Sequence, residues 1–274
     1  MHVTWATVGL LGHNSIDELI NYEDRKKIPY KNSAYSPFPL SYEKYSVFNP
    51  DKLLAPTLVQ RILNSPLQEL GSHTYSHFYT LEEGVTLDDF KIDLKRMTDL
   101  GLRFNTRFET IVFPRNQVNT ATLEVLGKEG YLAYRGNQEN RFWKNSQYAQ
   151  ESIFKKTLRV VDAFFPISRT KSYQLSELKT HHGMVNIPAN RFLRPPTSLK
   201  WLERRKIRRI KREMHQAAKK GTVYHLWWHP HNFCEHPKLA QQQLEEILAY
   251  YHVLAKRYTF LSLTMKEIAD HVKT

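Results

Sequence analysis

His73 and His77 stand four residues apart in ELGSHTYSHF, residues 69–78. Two imidazoles at that spacing lie on one face of a helical turn, where both can reach a single metal ion. Neutral imidazole nitrogen is a good ligand for zinc and its first-row neighbours, and two or three protein ligands leave positions open for water, as metal-assisted hydrolysis requires. With 13 histidines in 274 residues such pairs also arise by chance. Thr74 stands where a zinc peptidase of the HExxH kind carries its glutamate, which argues against that class. Two further stretches offer the pair company: Phe113-Pro114-Arg115-Asn116-Gln117 and His229-Pro230-His231-Asn232.

Each of these stretches follows a run with strand character. Val3 to Leu11 reads as a buried strand closed by Gly12, His13 and Asn14, and Pro56 opens a short helix through Leu63 ahead of the histidines. Thr86 caps the next helix, with Asp88 and Asp89 in its first turn, Leu87, Phe90, Leu94 and Met97 as its buried stripe, and Gly101 as its end. Thr110 to Phe113 is β-rich and is stopped by Pro114; Leu123 and Leu126 mark a helix closed by Gly130; a strand from Tyr131 stops at Arg135-Gly136-Asn137. Residues 137–184 show no clean period. Val185 to Pro188 and Thr222 to Trp228 are predicted strands, residues 242–258 a helix, Phe260 to Leu263 a last strand, and Thr264 the cap of a final helix. The succession strand, polar loop, helix predicts βα units around a parallel sheet or barrel, with chemistry in the loops that follow the strands. A single domain spans 1–274. Residues 22–50, rich in Tyr, Pro and Ser, read as a packed aromatic lid.

Composition is that of a folded protein, 41% hydrophobic and 24% charged. The single cysteine, Cys234, excludes an internal disulfide and has no activating partner in sequence, so it reads as inert. No apolar run is long enough to span a membrane, and VTWATVGLL lacks the features of a signal peptide, which sets a cytoplasmic location as the expectation. The net charge of +13 is largely local: residues 200–220 hold ten lysines and arginines against Glu203 and Glu213. Their apolar spacing reads as a packed helix with a solvated basic face; contact with an anionic lipid surface or acidic polymer is the alternative, and no nucleic acid is expected.

SHTYSH, FPRNQ and LWWH taken together resemble the NodB-type polysaccharide deacetylases, in the branch found among exopolysaccharide-biosynthesis proteins, over nearly the whole chain. SHTYSH matches that family's H-[ST]-x-x-H metal motif, FPRNQ its Arg/Pro/aromatic loop, and His229 of LWWH its leucine-histidine motif. The resemblance implies a distorted (β/α)7 barrel that removes N-acetyl, or less often O-acetyl, groups from a sugar or polysaccharide with a divalent metal, zinc foremost. It implies that His73 and His77 hold the metal, that the Arg115 backbone N–H meets the oxyanion, and that His229 protonates the leaving amine. His231 is the lesser candidate for that acid. Asn116, Arg135, Arg194, Trp228 and His231 are candidate substrate contacts; Arg135, Arg191 and Arg194 could equally be structural ion pairs, and of Trp227 and Trp228 only one can face a pocket. The family's aspartate pair, which supplies the general base and a metal ligand, belongs on a strand before VTWATVG. Asp17 and Glu18 do not replace it. The expectation is a barrel short of its first strand, with the pair upstream in a longer natural protein. A barrel without turnover that only binds glycans is the alternative.

Overall fold

Short β-rich runs separated by amphipathic helices produce a row of parallel strands. The computed structural model describes residues 1–22, 28–37, 54–137, 153–165, 167 and 171–273. β1 (Val3–Thr7), β2 (Gln68–Ser72), β3 (Thr110–Ile111), β4 (Ala133–Gly136) and β6 (Met184–Pro188) lie side by side and parallel in that order. β5 (Thr180–His181) folds back antiparallel on β6 at the edge. The two residues that join them, His182 and Gly183, have φ of 50° and 79°, as a tight hairpin requires. β7 (Arg191–Phe192) and β8 (Leu226–Trp227) form a separate parallel pair.

The described strands therefore make an open six-stranded sheet and a two-stranded pair, not the closed barrel expected from the sequence. Pro188, which has no N–H to donate, ends β6 where the sheet would continue. Asn190 and Arg191 then both donate to the His225 carbonyl, beginning the second pair. At the other end of the row, β1 is met by side chains instead of a ladder. His2 N–H donates to Ser262 Oγ at 3.0 Å, Met265 N–H to Thr4 Oγ1 at 2.8 Å, and the His2 ring meets Glu267 at 2.8 Å. Phe260 to Leu263, predicted as a strand, joins no described ladder.

Eight α-helices accompany these strands among the described residues: α1 (Ile16–Tyr22), α2 (Pro56–Leu63), α3 (Leu87–Arg103), α4 (Thr120–Lys128), α5 (Ile153–Phe164), α6 (Lys200–Lys220), α7 (Pro237–Tyr258) and α8 (Met265–Lys273). Thr86 and Asp89 close a reciprocal capping box on α3. That helix runs past Gly101 to Arg103, and Gly101 has another use. A Cβ there would come within 2.8 Å of the Thr106 carbonyl, so its absence lets the chain fold back and Thr106 N–H reach the Gly101 carbonyl at 2.9 Å.

Phe90, Leu94, Met97 and Leu100 of α3 pack with Leu123 and Leu126 of α4 against Leu70, Ile111 and Phe113, each side chain contributing about 1.5–3 kcal/mol by leaving water. Ile207, Ile210 and Met214 of α6 pack on Ile247 and Leu254 of α7. The basic face of α6 is only partly solvated: Arg204, Arg205, Arg208 and Arg212 are exposed, whereas Lys206 and Arg209 are buried. Lys206 meets Glu203 at 2.5 Å and donates to the Arg194 carbonyl at 2.9 Å. Arg209 and Arg191 share Asp162 and Glu213, with Arg191 at 3.1 Å and 2.6 Å from them, so Arg191 is part of a structural ion network joining α5, α6 and β7. No helix among the described residues is long and apolar enough to cross a membrane.

Candidate active site

β2 ends at Ser72, and the chain enters the histidine stretch without forming a helix. His73 and His77 are brought together differently from the helical turn their spacing suggested. Thr74 and His77 both take left-handed backbone, φ 62° and 58°, and the two rings lie 4.8 Å apart centre to centre. A β-branched residue in that region is strained by roughly 1–3 kcal/mol, so neighbouring bonds must hold it. Thr74 N–H donates to Ser72 Oγ at 3.1 Å, its hydroxyl donates to the His73 carbonyl at 2.6 Å, and the same oxygen accepts from Phe78 N–H at 2.6 Å.

The loop is gripped from both sides. Asp93 of α3 is buried and accepts from Tyr75 N–H at 2.8 Å, Ser76 N–H at 2.9 Å and the Ser76 hydroxyl. His13 lies in the loop after β1. Arg103 Nη1 donates to its Nδ1 at 3.1 Å, which leaves Nε2–H to donate to the Tyr75 oxygen at 2.9 Å. Burial and then Arg103 pull the His13 pKa from 6.5 down to about 4. Neither residue was selected from the sequence. The signal for Asp93 was present: it falls three residues after Phe90 on the apolar stripe of α3, where an unpaired carboxylate would be untenable.

His73 Nδ1–H donates to the Val112 carbonyl at 2.6 Å, past the end of β3, which leaves Nε2 with its lone pair. His77 Nδ1 meets the Tyr79 hydroxyl at 3.0 Å. Burial pulls the His73 pKa down to about 3, with His77, Arg135 and His229 adding to the effect; burial, Arg115 and His229 bring His77 to about 4. Both rings are neutral at pH 7, the ligating form. Their types and spacing, and the tautomer of His73, suit two ligands of a divalent metal. Among the described residues no group of three or more His, Cys, Asp or Glu is placed to hold one.

FPRNQ leaves β3 in a turn in which Arg115 and Asn116 have φ of 51° and 54°. The Arg115 guanidinium lies over the Tyr79 and Tyr35 rings, 4.0 Å and 4.6 Å from their centres, and 3.5 Å from Glu82. Gln117 Nε2 donates to Glu82 at 2.6 Å and its Oε1 accepts from Leu81 N–H at 3.2 Å, tying this loop to the histidine stretch. Asn116 Oδ1 accepts from Arg135 Nη2 at 2.6 Å, which joins FPRNQ to the end of β4. Of the 22–50 segment, residues 28–37 are described. Tyr30 and Tyr35 pack on Tyr79, and Tyr79 N–H donates to the Tyr30 hydroxyl at 2.7 Å. A Cβ on Gly84, at φ 97°, would meet the Pro29 carbonyl at 2.1 Å, so only glycine lets this strap approach. The remainder of the expected lid lies outside the described residues.

The HPHN loop follows β8. Burial, His231 and Arg135 bring the His229 pKa to about 4, and His229 in turn lowers those of His73 and His77. His231 stacks on His229 at 4.9 Å. Of the adjacent tryptophans, Trp227 reaches the site: Arg135 lies 4.2 Å over it, Phe192 stacks on it at 4.4 Å, and His229 meets it at 5.3 Å. Trp228, the one selected from the sequence, packs toward the core between α6 and α7. Arg194 lies over the Phe192 ring at 5.6 Å, one ring removed from the site. His73, His77, His229, Arg115, Asn116 and Arg135 thus converge, His231 flanks them, and Arg194 and Trp228 stand outside.

Fold and site define a mixed α/β protein with a parallel sheet, whose polar residues gather on the loops leaving the C-terminal ends of its strands. The same architecture occurs in the crystal structure of a "putative polysaccharide deacetylase" from Mycobacterium smegmatis, with a TM-score of 0.52 and 15% sequence identity over 80% of this chain and 67% of that one. No protein-family model and no curated protein matches the sequence.

Proposed function

We propose that this chain removes acetyl groups, N-acetyl foremost, from a sugar or polysaccharide, with a divalent metal held by His73 and His77 and zinc as the first candidate. The observation that carries the reading is the meeting of two neutral imidazoles 4.8 Å apart with His229 and the FPRNQ turn, all on loops that follow parallel strands. The fold shared with the mycobacterial protein and the three motifs point the same way, and the motifs favour a role in cell-surface polysaccharide synthesis. A metal bound there supplies Lewis acidity and a more acidic water. His73 is locked in its ligating tautomer by the Val112 carbonyl. The Arg115 backbone, in its left-handed turn, would meet the developing oxyanion. His229 rests neutral, so it can take a proton from the attacking water and deliver it to the departing amine nitrogen.

A second reading, a glycan-binding protein without turnover, is favoured by one observation: the described residues assemble no third metal ligand beside the two histidines. Acetate release from N-acetylated and O-acetylated sugar oligomers, measured with zinc, with chelator and in His73→Ala, separates the two. Release that needs both zinc and His73 supports the hydrolase. Oligomer binding that is unchanged by chelator, with no release, moves the assignment to the binding protein.

A further inference from the structure

Among the described residues the other buried cations are matched with carboxylates. Arg191 and Arg209 share Asp162 and Glu213, Lys206 has Glu203, and the half-buried Arg115 has Glu82. Arg135 departs from that pattern. It is 8% exposed at the end of β4, and its described contacts are the Asn116 amide oxygen at 2.6 Å and the face of Trp227 at 4.2 Å, neither of them an anion. Its Nε–H is buried with no hydrogen-bond partner among the described residues. An ionised guanidinium removed from water without a partner is costly, and here burial alone pulls its pKa down to about 9. The neighbouring rings of His73, His225 and His229 are neutral and cannot balance it. The unmatched cation stands at the candidate site, where a ligand can supply what the described residues do not.

We infer that Arg135 is the anchor for a carboxylate that enters this site with the ligand. A planar guanidinium with a vacant Nε–H offers a donor fork that suits a carboxylate. The carboxylate has two sources: an acidic sugar, in which case the substrate is an acetylated uronic-acid unit, or the acetate that deacetylation releases. The inference rests on this being the sugar site proposed above.

The test uses the full chain treated with chelator, so that no metal ion can take the carboxylate, and titrates glucuronate, acetate and neutral glucose at matched ionic strength. Calorimetry and thermal unfolding are the readouts. Glucuronate or acetate should bind and raise the unfolding temperature, and glucose should do neither. Arg135→Met should weaken carboxylate binding at least tenfold while unfolding at the same or a higher temperature, because it removes the unbalanced charge. Arg135→Lys, which keeps charge without the fork, should fall between. Glucuronate binding at least tenfold tighter than acetate assigns the acidic sugar; equal binding assigns the acetate. Equal responses to glucose and carboxylates, or carboxylate binding that persists in Arg135→Met, overturn the inference. If Arg135→Met does not fold, Arg135→Lys and the wild-type comparison of charged with neutral ligand decide it. A separate zinc titration distinguishes the two failures. Zinc bound without a carboxylate response removes only the anchor, and a carboxylate response without zinc removes only the metal reading.

Discussion

Replacing Asp93 tests how the histidine loop is built. Its carboxylate accepts from two backbone N–H groups, Tyr75 at 2.8 Å and Ser76 at 2.9 Å, and from the Ser76 hydroxyl, all buried. Asp93→Ala strands the two N–H donors, while the hydroxyl can rotate to another acceptor. At about 1–3 kcal/mol for each unsatisfied buried donor, the loss is roughly 2–6 kcal/mol. Asp93→Asn keeps the volume and one acceptor oxygen but turns an amide donor toward a donor, so its cost lies at the lower end of that range. The exposed Asp88, paired to Lys91 at 2.8 Å, is the control, and Asp88→Asn should change stability by less than about 1 kcal/mol. Urea unfolding gives the stabilities, and competition with a chromophoric chelator gives zinc affinity. The Asp93 variants should lose both, because the strained Thr74 turn that presents His73 and His77 is anchored through the two residues Asp93 holds. Wild-type stability and zinc affinity in Asp93→Ala would refute the reasoning.

His73→Ala should bring zinc binding below detection while leaving the far-ultraviolet circular dichroism unchanged. Tyr79→Phe removes the partner of His77 Nδ1 and should weaken zinc binding about 10–100-fold at nearly unchanged stability, read by the same chelator competition. Asp162→Asn breaks the buried network that Arg191 and Arg209 share and should destabilise by about 3–5 kcal/mol in urea, with zinc affinity retained. His13 and His225 have pKa values lowered by burial from 6.5 to about 4. The unfolded chain takes up those protons near pH 6.5 and the folded chain only near pH 4, so stability should fall as pH falls through that window, by up to about 1.4 kcal/mol per pH unit for each ring. A flat profile between pH 7 and pH 4.5 in the metal-free protein would contradict the buried, neutral state of these rings.

Much of the order of elements was legible because it rests on local chemistry. The Thr86 cap, the Pro56 helix start, the stripe of α3 and the stop at Pro114 each depend on residues a few positions apart. What escaped depends on distant partners. Phe260 to Leu263 has a strand's composition, yet a strand exists only if a neighbour offers its ladder, and none among the described residues does. The closed barrel failed for the same reason, since closure is a property of the two ends of the sheet and not of any one run. The histidine spacing identified the pair, but the left-handed Thr74 and His77 that bring the rings together are imposed by Ser72, Phe78 and Asp93. Trp227 and Trp228 were indistinguishable by type; only the register of β8 against β7 decides which one faces Arg135.

The side-chain clasp on β1 bears on how the chain is made. His2 and Thr4 are held by Ser262 and Met265, partners 260 and 261 positions away. Contacts of such separation form late in synthesis. A chain stalled on the ribosome before residue 262 would carry Val3–Thr7 without these partners, and a strand edge left unclasped can pair with a neighbouring nascent chain. Co-translational aggregation should therefore be governed by how soon residues 262–265 emerge to close this clasp.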